Sequence, residues 1–79
     1  MTLGDYRVGI DFNPSGNAKV AAVKATTAKL IDLCHDLGTK TEDPEIKRLF
    51  ALAKVSYEEA AMWAVKAVTK RPRPGDEAD

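Results

Sequence analysis

The sequence predicts an all-α protein, an antiparallel two-helix hairpin with a short N-terminal arm, assembling as a compact homo-oligomer. Three observations predict it. Apolar residues recur in steps of three and four over two long stretches. A short loop joins those stretches, as it does between antiparallel neighbours. The second stretch carries more apolar surface than one partner helix can cover.

The arm comes first. Residues 3–12 alternate, with Tyr6, Val8, Ile10 and Phe12 on one side and Asp5, Arg7 and Asp11 on the other. That is the period of an extended segment, expected to lay its aromatic residues onto a helical surface. Asn13-Pro14 then reads as a helix start, with Asn as the cap and Pro in the first turn, and Gly16 and Asn17 weaken that turn. Val20, Val23, Thr27, Leu30, Cys34 and Leu37 form one stripe, and Gly38 is expected to end the helix. Helix one is thus predicted over about 14–37.

Asp43-Pro44-Glu45 repeats the start signal, with an acid in the first turn to favour the helix dipole. The second stripe holds Ile46, Phe50, Ala53, Tyr57, Ala60, Ala64 and Ala67. Pro72 and Pro74 cannot continue a helix, so helix two is predicted over about 44–70. Residues 1–70 make the single domain, and the charged, breaker-rich residues 71–79 are expected to be a flexible tail.

A domain of 79 residues buries only about 60% of the surface its unfolded chain exposes, so it needs support beyond its own core. One cysteine, Cys34, excludes an internal disulfide, and one histidine, His35, leaves no ligand set for zinc. Self-association remains. Leu49, Leu52, Val55, Met62, Trp63, Val65 and Val68 lie outside the second stripe, and the many alanines let helix axes approach closely.

Twelve basic and twelve acidic residues cancel, which argues against wrapping DNA by bulk charge or lying on an anionic membrane. No apolar run is long enough to span a bilayer and no leader precedes Gly4, so a soluble protein of a reducing compartment is expected. No nucleophile with a nearby base and no glycine-rich phosphate loop occurs. The chain is therefore expected not to be an enzyme and to need no cofactor or metal. Cys34 reads as a small core residue, and His35 as a partly exposed residue near a helix C-terminus.

Two lysines draw notice. Lys24 lies at the edge of an apolar stripe, so its ammonium must reach an anion or water. Lys66 lies three residues from Trp63 and four from Met62, where it could hold a phosphate while the ring holds a base, or sit at an interface rim. Tyr6 and Phe12 could stack on a nucleobase or simply staple the arm.

The order Tyr6-Arg7, Phe12-Asn13-Pro14, Val23-Lys24, Leu30-Ile31 and Ala61-Met62-Trp63-Ala64-Val65-Lys66-Ala67-Val68 resembles the helical hairpin of phage anti-CBASS and anti-Thoeris sponges. The resemblance covers nearly the whole chain except the tail. It implies a protein of the infected bacterial host's cytoplasm that sequesters cyclic dinucleotides, and in some members cyclic trinucleotides, without cutting them. It also implies a compact homohexamer with pockets between interlocked subunits. Anti-Thoeris relatives bind a cyclic ADP-ribose variant and carry a further domain, for which this chain has no room.

The family's ligand-contacting lysine falls on Lys24, close to Thr27. Its methionine and following base fall on Met62 and Lys66. There the family typically has arginine, whose planar fork lysine lacks. The stacking tyrosine and following arginine fall on Tyr6 and Arg7 when three extra residues are allowed before Phe12-Asn13-Pro14. Without them the position is Gly9, and Phe12 is the other aromatic candidate. The expected ligand-binding set is therefore Tyr6, Arg7, Phe12, Lys24, Thr27 and Lys66. A helical hairpin with a purely structural or protein-binding role and no small-molecule ligand, and a sponge for a cyclic ADP-ribose-type Thoeris signal, are the competing readings.

Overall fold

The computed structural model describes residues 1–74, and the last part of the expected tail, 75–79, lies outside the described residues. Three helices follow in order: α1 (Leu3–Val8), α2 (Ala18–Thr39) and α3 (Pro44–Thr69). No strand occurs among the described residues.

The arm is a helix, not the expected extended segment. Thr2 caps it: its hydroxyl accepts from the Asp5 N–H, and the Asp5 carboxylate accepts from the Thr2 N–H, a reciprocal capping box. Gly9 closes it in the left-handed region at φ 64°, and its N–H returns to the carbonyls of Asp5 and Tyr6. Such end signals decide the conformation of this short segment against its strand-like alternation.

α1 lies hard against α2 because Gly4 has no side chain. A Cβ on Gly4 would collide with the Ala28 carbonyl oxygen and stand 2.7 Å from the carbon that bears it. The Gly4 N–H, free within its own helix, donates to Asp32 Oδ1 at 2.7 Å. Gly4→Ala should therefore push α1 off α2 and destabilise the fold by roughly 1–3 kcal/mol. A denaturant midpoint unchanged from the parent protein at equal concentration would contradict this packing account.

α2 starts at Ala18, later than the Asn13-Pro14 signal suggests. Asn13 does not cap a helix: its side chain accepts from the Asn17 N–H at 3.1 Å and donates to the Asn17 carbonyl at 2.9 Å. Gly16, at φ 62°, turns the chain, and Asn17 takes the cap, accepting from the N–H groups of Lys19 and Val20. At the other end Gly38 does not stop the helix, which runs on to Thr39. Gly38 faces Phe50, whose Cβ would lie 3.5 Å from a Cβ added there, and its carbonyl accepts from Lys47 Nζ at 3.0 Å.

α3 matches its predicted start. Asp43 accepts from the Glu45 and Ile46 N–H groups, Pro44 opens the helix, and Lys70 is the C-cap. The Arg48 guanidinium grips Glu45 at 2.8 Å and holds that carboxyl below its usual range, but both groups are exposed and the pair adds little stability.

Residues late in α2 meet residues early in α3. Lys54 Nζ lies 3.3 Å from His35 Nδ1, whereas Ala22, Val23, Thr26 and Thr27 share a groove with Ala60 and Ala64. The buried line of α2 is Val20, Lys24, Ala28, Ile31 and Cys34, rotated from the predicted stripe, so Leu37 is exposed. On α3 only Ala61 is fully inside; Ala60, Ala67 and Ile46 of the predicted stripe are exposed. The rotation has a physical reason. α1 covers the Gly4–Ala28 flank of α2, so α2 is buried between two neighbours rather than along one seam.

The resulting body is thin, 54 × 27 × 12 Å. Ile31 is the only large side chain buried completely among the described residues. Leu49, Leu52, Val55, Met62 and Trp63, with Leu33 on α2, remain exposed. No helix among the described residues is long and apolar enough to cross a membrane.

Candidate functional site

Arg7, Phe12 and Lys24 line adjoining clefts where α1, the 9–17 connection, the start of α2 and the second half of α3 meet. Lys24 lies at the centre of this region, and it is 7% exposed. Its ammonium donates to the Gly9 carbonyl at 2.9 Å and to the Phe12 carbonyl. It also stands 5.5 Å from the centre of the Phe12 ring. Burying an ammonium is tolerable only with such partners.

Two clefts open on either side of Lys24. One, of about 280 Å³, is lined by Arg7, Lys24, Glu58, Met62 and Val65 among others. The other, of about 220 Å³, is lined by Phe12, Asn13, Pro14, Lys24, Val65 and Thr69 among others. A third cleft of about 480 Å³ runs along α3, with Val55, Glu58, Glu59, Met62, Trp63 and Lys66 as its lining. Met62 and Glu58 belong to both the first and the third, so they connect Arg7 on one side with Lys66 on the other.

Lys66 Nζ lies 5.5 Å from the centre of the Trp63 ring, in keeping with their helical spacing. Tyr6 and Phe12 are 74% and 73% exposed, so each offers an aromatic face to solvent. Thr27 stands apart: its hydroxyl donates to the Val23 carbonyl at 2.8 Å, and it lines the small-residue groove with Ala60 and Ala64. Within one chain the structure brings together Arg7, Phe12 and Lys24, places Lys66 beside Trp63, and leaves Thr27 on another face.

Sequence reasoning misses Glu58 and Val65. Glu58 is four residues before Met62 and eight before Lys66, so helical spacing is the signal that could find it. It also misses the backbone carbonyls of Gly9 and Phe12, for which no side-chain pattern gives a signal.

All of these clefts are open, and the largest is lined by α3 alone. Small-molecule sites bury most of their ligand between several walls, so none of these clefts in a single chain encloses a nucleotide. Among the described residues no group of three or more His, Cys, Asp or Glu could hold a metal ion. Cys34 is a free, buried thiol in the α2 packing line.

A family model, the Acb2/Tad1 hairpin domain, matches residues 5–69. The chain belongs to this family. It is the family of phage anti-CBASS and anti-Thoeris sponges, binding proteins for cyclic nucleotide signals. The Acb2/Tad1 match covers all of α2 and α3 and most of α1, so every expected binding residue falls within it. No curated protein and no solved structure matches the chain.

Proposed function

We propose that this Acb2/Tad1 hairpin is a non-cleaving sponge for cyclic dinucleotides, acting in the cytoplasm of an infected bacterium against CBASS immunity. Its pockets form only where several antiparallel hairpins meet, with the hexamer of the family as the assembly. Cyclic trinucleotides are candidate second ligands.

One observation carries this reading. Exposed Leu52, Val55, Met62 and Trp63 lie on α3 next to a cleft rimmed by Lys66 and continuous, through Met62 and Glu58, with Arg7. Association of copies through that apolar flank would draw cationic groups and aromatic faces from different chains into one enclosed space. A cyclic dinucleotide offers two bases and two phosphodiester charges related by an approximate two-fold. A two-fold pair of chains would supply matching elements, Arg7 and Lys66 to the phosphates and Tyr6, Phe12 or Trp63 to the bases. Each stacked base contributes about 1–3 kcal/mol. Thr27, remote from Arg7 in its own chain, would reach the ligand only from a neighbouring copy.

Calorimetric titration with a panel of cyclic dinucleotides tests the proposal. Sub-micromolar binding by at least one is expected, with intact nucleotide recovered after heat denaturation of the complex. Lys66→Ala should weaken that binding by about tenfold or more, the scale of one charge-assisted hydrogen bond. Heat release that requires turnover, or silence across the panel, would contradict it. Silence from a protein that still assembles would favour a purely structural hairpin.

A further inference from the structure

We propose that Glu58 is a specificity-determining residue: its carboxylate turns away nucleotides that carry more negative charge than a cyclic dinucleotide, above all the ring-opened linear form. The assignment rests on the sponge reading above and deepens it.

A carboxylate in the lining of an anion trap needs a physical reason. Glu58 is half-buried on α3 and lines both the cleft of Arg7 and Lys24 and the cleft of Lys66. It does not neutralise a neighbour there. Among the described residues the Glu58 carboxylate has no hydrogen-bond or ion-pair partner, and neither has Arg7 in the same cleft. An unpaired carboxylate repels any phosphate brought beside it, most strongly where water is excluded.

The charges of the lining set the threshold. Arg7, Lys24 and Lys66 bring three cations to the joined clefts, and Glu58 and Glu59 bring two carboxylates, which leaves one net positive charge per chain. A two-fold pair of chains therefore offers two, matching the two phosphodiester charges of a cyclic dinucleotide. Opening the ring turns one diester into a phosphate monoester, whose charge is about −1.5 to −2 at neutral pH, and frees it from the ring. That extra charge has no cation left to meet it, and Glu58, where the two clefts join, is the group it meets instead. Nucleoside triphosphates carry more charge still. Specificity of this kind comes from a repulsive element set against the wrong ligand.

Calorimetric titration of the full chain with 3′,3′-cyclic di-AMP and with its ring-opened form pApA tests the assignment. The parent protein should prefer the cyclic form. Glu58→Gln keeps the shape of the side chain and removes its charge. In this variant the ratio of the two affinities should narrow by about tenfold or more, the scale of removing one like-charge contact, with cyclic affinity held or raised. Added salt should shrink the difference between parent and variant, since charges near solvent are screened over about 10 Å at 0.1 M. Glu58→Ala should act in the same sense, which excludes a new hydrogen bond from the glutamine amide as the cause. An unchanged ratio in either variant, or a difference indifferent to salt, would overturn the proposal. So would a fall in cyclic affinity, which would make Glu58 a contact to the bound nucleotide.

If the parent protein binds no cyclic dinucleotide, the sponge reading fails on its own. Tighter binding of pApA by both variants than by the parent then still supports exclusion by Glu58, and equal or absent binding overturns it too.

Discussion

Ile31→Ala should lower stability by about 2–5 kcal/mol, the range for deleting a branched side chain from a site that cannot collapse. A domain of this length holds on the order of 4–12 kcal/mol in all, so the variant should be partly or wholly unfolded at body temperature. The size of the effect follows from how little else is inside. Among the described residues Val20, Ala28, Cys34 and Ala61 are the other buried apolar residues, and all are small or medium-sized. Small neighbours leave a cavity rather than fill it. Ile31→Val should cost only about 0.5–1.5 kcal/mol, and Leu33→Ala, at an exposed position of the same helix, should cost far less than Ile31→Ala. Urea midpoints at matched protein concentration check the order. Equal losses at positions 31 and 33 would mean that the core lies elsewhere.

Trp63→Glu should have the larger functional effect. In the single chain Trp63 is 62% exposed, so a glutamate there has room and water and meets no obstacle within the chain itself. In the proposed assembly the same position is buried. Truncating a buried aromatic anchor at an interface costs about 2–4 kcal/mol, and an uncompensated charge adds to that. Each 1.4 kcal/mol is about tenfold in an equilibrium constant, so association should weaken by about 30-fold or more, and nucleotide binding should vanish with it. The Lys66 ammonium over the Trp63 ring would also lose its aromatic partner. Sedimentation velocity over a concentration series checks the first part and calorimetry the second. An intact assembly of the Trp63→Glu variant would place the contact surface on another face.

How much of this fold is legible in the sequence depends on whether a signal is local. α3 is readable from end to end because Asp43-Pro44-Glu45 and the prolines after Lys70 act through their own backbone positions. The apolar surplus on α3 is readable too, since it needs only helical spacing. Helix α1 is misread because Tyr6, Val8, Ile10 and Phe12 alternate, although the capping box of Thr2 and Asp5 and the closing Gly9 are present in the same segment. The start of α2 is misplaced because Asn13 has two uses, as a helix cap or as a partner for Asn17, and only the turn at Gly16 selects the second. Gly38 reads as a stop, whereas its small size serves the packing of Phe50.

The candidate site is legible in its inventory and not in its wiring. Arg7, Phe12 and Lys24 line adjoining clefts, Lys66 stands beside Trp63, and Thr27 lies on another face. The partners of Lys24 are backbone carbonyls twelve and fifteen residues away, and nothing in the side-chain pattern marks them. The sequence leads one to expect Lys24 to seek an anion or water, and it finds the turn instead.

Size-exclusion chromatography coupled to light scattering, run with and without a cyclic dinucleotide, tests the central claim most directly. The account predicts a discrete oligomer at micromolar concentration, six copies by family likeness, that co-elutes with unaltered nucleotide. A well-folded monomer that leaves the nucleotide in the included volume would contradict it.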